Sequence, residues 1–318
     1  MKISGFTIGK NTSKLYYPMK EAIQSILPVV DECIVALGDS DADDTSRKEI
    51  ESLADPKIRI IDTIWDIEKY PRGMEMAHQT DLAKSHCTGD WLFYIQADEV
   101  VHEKYLPAIH NRCKQLLENR EVDGLLFWYR HFWGDYNHYV DTHGWYPREI
   151  RIIRNDKDIH SWRDAQSFRR IPGFDGMNYR QEKNTFKLKV APVDAWVHHY
   201  GWVRPPQLIK TKIRDFRIIQ EGARSVEEQA RANKNYFNFD YGAMDKIPVF
   251  RGTHPKVMES WISRFNWADA LSSKNRGLDR NLFKHEKLRY RLLNIFEKRI
   301  LFGRQIGGFK NYRLLRIR

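Results

Sequence analysis

The sequence predicts an α/β fold, a mostly parallel sheet with helices on both faces, extended at its C-terminal end by a basic helical region. Three observations carry this expectation. Over residues 1–130, short apolar runs alternate with amphipathic stretches in the rhythm of βαβ units. One run, Trp91 to Ile95, is apolar at every position, as a strand buried on both faces requires, and it gives way to the acidic pair Asp98-Glu99. The net charge of +11 is lopsided: residues 284–318 hold eleven Lys or Arg against two Glu, leaving +9 in that segment.

Taken in order, residues 2–8 read as the first strand and 17–27 as a helix stopped by Pro28. Residues 32–37 form the second strand. A helix over 46–54 opens with Ser46 and carries Glu49 three residues on, a capping-box pattern. A short strand at 58–62, a helix at 74–84, the strand at 91–95, a long helix at 102–118 and a strand at 124–129 complete the alternation. From about Phe132 the rhythm breaks. Trp133, Trp145, Trp162, Trp196 and Trp202 lie among Gly, Pro, His and Arg, with strands expected only at 149–153 and 185–190. Residues 206–221 begin a charged helical section, 252–255 read as a loop, and 282–301 as a basic amphipathic helix. The expected division is 1–205, the sheet domain with the site, and 206–318, the basic helical region.

Composition narrows the class. Three scattered cysteines, Cys33, Cys87 and Cys113, suit reduced thiols rather than a disulfide framework. The N-terminal residues lack the apolar core of a signal peptide, and no run reaches the ~18 apolar residues of a spanning helix. A cytoplasmic chain is expected. Its tail mixes Leu288, Leu292, Leu293, Ile295, Phe296 and Ile300 with Lys and Arg, which suits an anionic membrane surface at residues 284–318, or else an apolar face packed on the core.

The candidate site follows from strand ends. In open α/β sheets ligands bind where strands finish at the carboxyl edge, so Asp98 would be delivered to the mouth of a cleft. A hard cation, Mg²⁺ or Mn²⁺, takes oxygen ligands and shares them with substrate phosphates. The bland alternative is that Asp98-Glu99 favour the positive end of the helix that follows. Thr7, Gly9 and Asn11 follow the first strand, where a glycine permits close backbone approach and a hydroxyl can bind a base or ribose. Asp164, among aromatic and polar residues, is the chosen general base, with Glu149 its rival.

The motifs TIGKN, GDSDADDTS, HQTDLA and GDWLFYIQADE occur in that order, followed by PREIRIIR and HHYGWVRPP. Together they resemble the family-two glycosyltransferases of the GT-A fold, closely over residues 1–130 and more loosely to about 205. The resemblance implies a GT-A-like, Rossmann-type sheet and transfer of a sugar from a nucleotide-sugar donor, usually with inversion and with Mg²⁺ or Mn²⁺. It implies a glycan or lipid-linked glycan acceptor, as in bacterial polysaccharide assembly. Asp39 would recognise the nucleoside, and Arg72 and Gln79 would lie near the nucleotide. Gln96-Ala97-Asp98 stands where the family has D-x-D, so Gln96 would reach the ribose and Asp98 the metal, with His198 or His199 as a late metal ligand. Gln96 departs from the pattern, since an amide brings no charge to a cation. Two other classes stay open: a catalytically silent nucleotide-sugar or glycan-binding relative, and a nucleic-acid-binding protein suggested by the basic tail.

Overall fold

A computed structural model describes the chain except residues 233–238, 272–280, 302, 304, 309 and 318. Strand β1 (Ile3–Gly9), helix α1 (Met19–Ile26), β2 (Glu32–Leu37), α2 (Ser46–Glu51), β3 (Ile58–Asp62), α3 (Met74–Ser85) and β4 (Trp91–Tyr94) follow the expected alternation. The strands lie in the order β3-β2-β1-β4, all parallel. Helix α1 buries Met19, Ala22, Ile23 and Ile26 on one face of this quartet. That spacing of three and four residues draws one apolar stripe along a helix. On the opposite face Ala83 of α3 meets Phe6, Ile34, Leu92 and Tyr94. Each large side chain buried here contributes roughly 1.5–3 kcal/mol relative to exposure.

Beyond β4 the sheet is mixed. After β5 (Glu99–Val101) and α4 (Leu106–Gln115) come β6 (Gly124–Trp133), β7 (Tyr139–Val140), β8 (Arg148–Arg154), the pair β9 (Ile159–Trp162) and β10 (Ser167–Arg170), and β11 (Phe186–Trp202). β8 inserts antiparallel between β4 and β6, while β6 and β11 run parallel. The parallel expectation thus describes the first quartet, and the second half adds antiparallel strands. β11 has seventeen residues, far longer than the expected 185–190. Its register on β6 shifts between Pro192 and Trp196, and that irregularity hides the period of two in the sequence.

The C-terminal part comprises α5 (Pro206–Glu221), α6 (Ala223–Ala232), α7 (Glu259–Ile262), α8 (Leu288–Arg299) and β12 (Tyr312–Leu314), which pairs with β11. The line drawn at 205/206 cuts through shared cores. Met258, Trp261 and Trp267 pack with Val100, Phe132 and Tyr200, and Ile209 and Met244 pack with Trp133 and Val140.

Candidate functional site

The site grows from the end of β4. Glu99, wholly buried, is the anchor of the loop. Arg151 grips it as a fork, Nε and Nη2 each 2.7 Å from a carboxylate oxygen. Tyr129 Oη donates to it at 2.8 Å and the Gln96 backbone N–H at 3.1 Å. With Glu99 fixed inward, Asp98 is turned the other way and is 7% exposed. Its Oδ2 lies 3.3 Å from Lys212 Nζ of α5 and 3.7 Å from His199 Nε2 of β11. Burial raises the Asp98 pKa, but His199, protonated in the acid range where Asp98 titrates, with Lys212 and Arg204, outweighs it and holds the carboxyl at about 2.

The tautomer of His199 is set two rings away. His131 Nε2 faces the Tyr146 carbonyl at 2.8 Å and must carry a proton. Burial, then His199, push the His131 pKa down to about 3, so the ring is neutral and its Nδ1 accepts. His199 Nδ1, 3.1 Å away, is therefore the donor, which leaves the His199 Nε2 lone pair facing Asp98 Oδ2. The neutral His199 Nε2 and the Asp98 carboxylate 3.7 Å from it are both acceptors, and Lys212 Nζ, 3.3 Å from Asp98 Oδ2, is the cation beside them. Among the described residues no three His, Cys, Asp or Glu gather as a metal group. Asp98 and His199 are the residues that would hold Mg²⁺ or Mn²⁺ here, with phosphate and water supplying its other ligands. The space beside them depends on Gly201, where a Cβ would lie 2.6 Å from Asp98 Oδ2 and 2.8 Å from His199 Nε2.

Two cations border this point. Lys212 Nζ also donates to the Gly201 carbonyl at 2.7 Å and lies 5.1 Å from the Tyr17 ring centroid. Burial, with Arg204 beside it, brings the Lys212 pKa down to about 7, against the pull of Asp98. Arg204 is wholly buried over Tyr17, with Nη1 on the Leu15 carbonyl, while its Nε and Nη2 have no hydrogen-bond partner. A buried guanidinium with idle donors is costly unless an anion arrives.

Asp164 sits on the β9–β10 hairpin between Arg163 and Ala165, both at φ +60°. Left-handed backbone at two consecutive-but-one non-glycine residues is strained and holds the tip in one shape. Gln96 Nε2 donates to the Ala165 carbonyl at 3.1 Å, and Arg151 Nη1 donates to the Gln166 carbonyl at 2.9 Å. Arg151 therefore ties the Asp98 loop to the Asp164 hairpin. The C-terminal end of α5 joins them: the Gly73 N–H donates to the Ile219 carbonyl at 3.1 Å, and a Cβ on Gly73 would lie 3.1 Å from Asp164 Cβ. One helix thus crosses from Lys212 at Asp98 to Ile219 near Asp164, about 10 Å at 1.5 Å per residue.

At the far end of the rim, Asp39 pairs with Lys10 at 2.8 Å and accepts the Trp65 N–H at 2.9 Å. Partial burial raises its pKa, but Lys10 and then the Trp65 N–H prevail and lower it. Trp65 Nε1, Glu75 Oε2 and Gln79 Oε1 are buried without partners. Asn11, at φ +54°, accepts from the Asp41 N–H and ties this loop to that of β1. Arg72, at φ +57°, is exposed, and its carbonyl accepts from Arg180. Ala97, beside Asp98, packs on the core. Of the aspartates in the second loop, Asp44 accepts from Ser13 and Ser46, and Asp41 and Asp43 pair with Lys14, in keeping with local roles.

Four expectations are corrected. His198 points to the opposite sheet face from His199, toward His102 and His254, as adjacent strand residues must. It is no partner of Asp98. Glu149 is 2% exposed, with its oxygens on Ser167, the Ile150 N–H and Gln166, so it does not face the cleft. Gln79 is buried and uses its amide to join Glu75 to the Ile64 carbonyl. Gly9 is required by packing rather than by a ligand, since a Cβ there would lie 2.6 Å from Met19 Sδ. Thr7 is wholly buried, with its hydroxyl unpartnered. The sequence reading missed Lys212, Arg204 and His131. Arg204 lay in the quoted HHYGWVRPP motif, whereas nothing local marks Lys212 among the many charges of α5.

No family model matches the chain, and no curated protein matches it. Among solved structures it is similar to glucosyl-3-phosphoglycerate synthase from Mycobacterium tuberculosis, described in complex with Mn²⁺, uridine diphosphate and phosphoglyceric acid. That match has 20% identity, covers 40% of this chain and 43% of that one, and has a TM-score of 0.29. It is also similar to S. aureus TarS, at 14% identity over 75% of this chain and 44% of that one, with a TM-score of 0.37. The chain spans less than half the length of these structures. At such identities and TM-scores the likeness by itself carries no activity over to this chain.

Proposed function

We propose that this chain is a glycosyltransferase that moves a sugar from a nucleotide-sugar donor to a glycan or lipid-linked glycan acceptor, with inversion. The observation that supports this most is the facing pair of acceptors, Asp98 Oδ2 and His199 Nε2, bordered by the idle donors of Arg204 and by Lys212 at the carboxyl rim of the sheet. Acceptors for a cation beside donors for an anion match a metal diphosphate. Mg²⁺ or Mn²⁺ held by Asp98 and His199 supplies Lewis-acid neutralisation of the leaving diphosphate when bound.

The chain's own residues do the rest. Arg204 and Lys212 bind the diphosphate oxygens and hold the charge that grows on them as the anomeric C–O bond breaks. Asp39, Asn11 and the Trp65 loop receive the nucleoside, and Gln96 lies toward the ribose with Arg72 at the outer rim. Asp164 accepts the proton of the acceptor hydroxyl as its oxygen bonds to the anomeric carbon from the opposite side. The electron pair of the broken bond leaves with the nucleoside diphosphate. No described helix is long and apolar enough to cross a membrane. Peripheral contact of a cytoplasmic bacterial enzyme with an anionic membrane, through α8, completes the reading, and nucleic acid is not among its partners.

The test is donor turnover. UDP- and GDP-sugars are incubated with the full chain and Mn²⁺, and nucleoside diphosphate release is followed. Asp98→Asn removes metal-dependent release and leaves the fold intact, while Asp164→Asn depresses transfer far more than donor binding. Normal turnover in Asp98→Asn overturns the metal assignment. Donor binding without any turnover in the unaltered chain supports the silent-relative reading, which the uncharged Gln96 favours.

A further inference from the structure

The opposite face of β6 and β11 carries a second set of functional groups that the transfer reaction does not use. Trp128 and Trp196 stack across the two strands, with centroids 5.5 Å apart and planes 17° from parallel. Arg148 covers the free side of Trp128 at 3.5 Å, and Arg130 lies 4.7 Å from the Trp196 centroid. The Arg130 guanidinium is also 4.7 Å from Tyr139 and 4.9 Å from Phe250, so three rings fix its plane. Such stacking orients an arginine without consuming its N–H donors. Neither Arg130 nor Arg148 has an ion pair or a side-chain hydrogen bond with any described residue.

Arg130 opens into a hollow of about 320 Å³ that Lys104 and Arg251 also line, with no Asp or Glu in its wall. Lys104 and Arg251 are exposed. The nearest carboxylate in sequence, Glu103, is turned away to His102 Nδ1 at 3.2 Å and to the Lys256 N–H. His198 forms part of the wall, and burial, then the His254 and Arg130 charges, push its pKa down, so the ring is neutral and the positive charge of the recess comes from the lysine and the arginines. Three converging cations without an acid make a strongly positive recess. Its rim of Tyr105, Tyr139 and Phe250 offers apolar ring surface beside them.

We propose that this hollow is a binding site for an acidic saccharide, a sugar unit whose carboxylate or phosphate enters between Lys104, Arg130 and Arg251 while its ring lies against the aromatic rim. The size suits a small ligand, since such sites run from about 300 Å³ upward. The site lies across the sheet from His199, so its occupancy is independent of the donor, and it stands whether or not the chain proves to be a transferase.

The full chain is titrated by calorimetry and tryptophan fluorescence, with UDP and Mn²⁺ present to fill the donor cleft. The probes are galacturonic acid oligomers, glucose 6-phosphate, neutral galactose oligomers and inorganic phosphate. An acidic saccharide binds at least tenfold more tightly than its neutral counterpart, and the tighter of the two acidic probes identifies carboxylate or phosphate as the recognised group. Lys104→Gln with Arg251→Gln, both at exposed positions, weakens that binding about tenfold without moving the melting temperature. Arg130→Gln weakens it further. Equal binding of neutral sugars, inorganic phosphate matching the saccharides, competition by UDP, or unchanged affinity in the double variant each overturns the proposal.

Discussion

His131 Nδ1 lies 3.1 Å from His199 Nδ1, and this contact between two neutral rings decides which atom His199 presents to the cleft. The Tyr146 carbonyl holds the His131 Nε2 proton, His131 accepts from His199, and the His199 Nε2 lone pair is left facing Asp98, where the proposed cation would bind. His131→Phe preserves the ring volume and removes the relay. Partners of this kind set metal affinity by roughly 10–100-fold. Mn²⁺ affinity measured by electron paramagnetic resonance falls by that amount, with little change in melting temperature. Unchanged Mn²⁺ affinity would remove His131 from the site.

Arg151 is the second hub. It forks onto Glu99 and reaches the Gln166 carbonyl, so one guanidinium holds both the Asp98 loop and the Asp164 hairpin. Arg151→Met strands the Glu99 carboxylate in the core, and breaking a buried pair in this way costs about 3–5 kcal/mol. Urea unfolding registers that loss. Arg151→Lys keeps the charge but not the fork, and it recovers only part of the stability. A loss under 1 kcal/mol in Arg151→Met would contradict the anchoring role.

These two hubs mark where the sequence was legible and where it was not. The quartet β3-β2-β1-β4 could be read because each apolar run is short and closed by turn residues, and Asp98 and Asp39 lie just past the ends of β4 and β2, where those runs place them. His199 was seen, but His198 could not be told from it until the register of β11 on β6 fixed which ring faces in. Glu149 and Gln79 looked like site residues because a buried acid or amide satisfied by Ser167 or Glu75 reads in sequence like one awaiting a ligand. Lys212 reaches Asp98 from 114 positions away, and such a pairing leaves no local trace.

Glu32 gives the fold an acid-sensitive seam. Partial burial raises its pKa, but Ser4 Oγ, then the Thr88 N–H and hydroxyl, outweigh this and bring it down to about 2. The folded value lies below the unfolded one of roughly 4.3. Its stabilisation is therefore complete above about pH 5 and is lost as the pH falls through the folded value. Glu32→Gln lowers stability at pH 7 by about 1–3 kcal/mol and flattens the acid limb of a melting-temperature profile between about pH 4.5 and 2. An acid limb identical in slope to that of the parent would show that Glu32 is not its cause.

Helix α8 is mounted with its polar side inward. Glu297 is buried, held by His143 Nδ1 at 2.9 Å and the Ile306 N–H at 2.7 Å. Leu288, Leu292, Ile295, Phe296 and Ile300 are instead 45–65% exposed. An apolar stripe left in water beside Lys and Arg fits an anionic bilayer. Leu292→Gln with Ile295→Gln abolishes sedimentation with phosphatidylglycerol vesicles and leaves the melting temperature within a degree or two. Deleting the whole tail is the poorer test, because β12 pairs with β11 and its loss would unmake part of the sheet. Retained sedimentation in the double variant would rule out this stripe as the membrane contact.

Gly201 offers the most local test of the cation site. Its φ is ordinary, so no backbone conformation demands glycine there. What demands it is the space in which Asp98 Oδ2 and His199 Nε2 meet, since a Cβ would lie 2.6 and 2.8 Å from them. Gly201→Ala leaves the Lys212 bond to the residue 201 carbonyl in reach, and it keeps the pairing of the Tyr200 N–H with the Asp98 carbonyl. The methyl group must nevertheless push the carboxylate or the imidazole aside. That shift disturbs the positions from which the two groups would hold one ion. Mn²⁺ binding, and with it metal-dependent donor turnover, should fall at least tenfold while the urea midpoint shifts by less than the Arg151→Met variant shifts it. If Gly201→Ala binds Mn²⁺ as the parent does, the ion is held elsewhere, and the pairing of Asp98 with His199 is a buried polar contact that Lys212 alone completes.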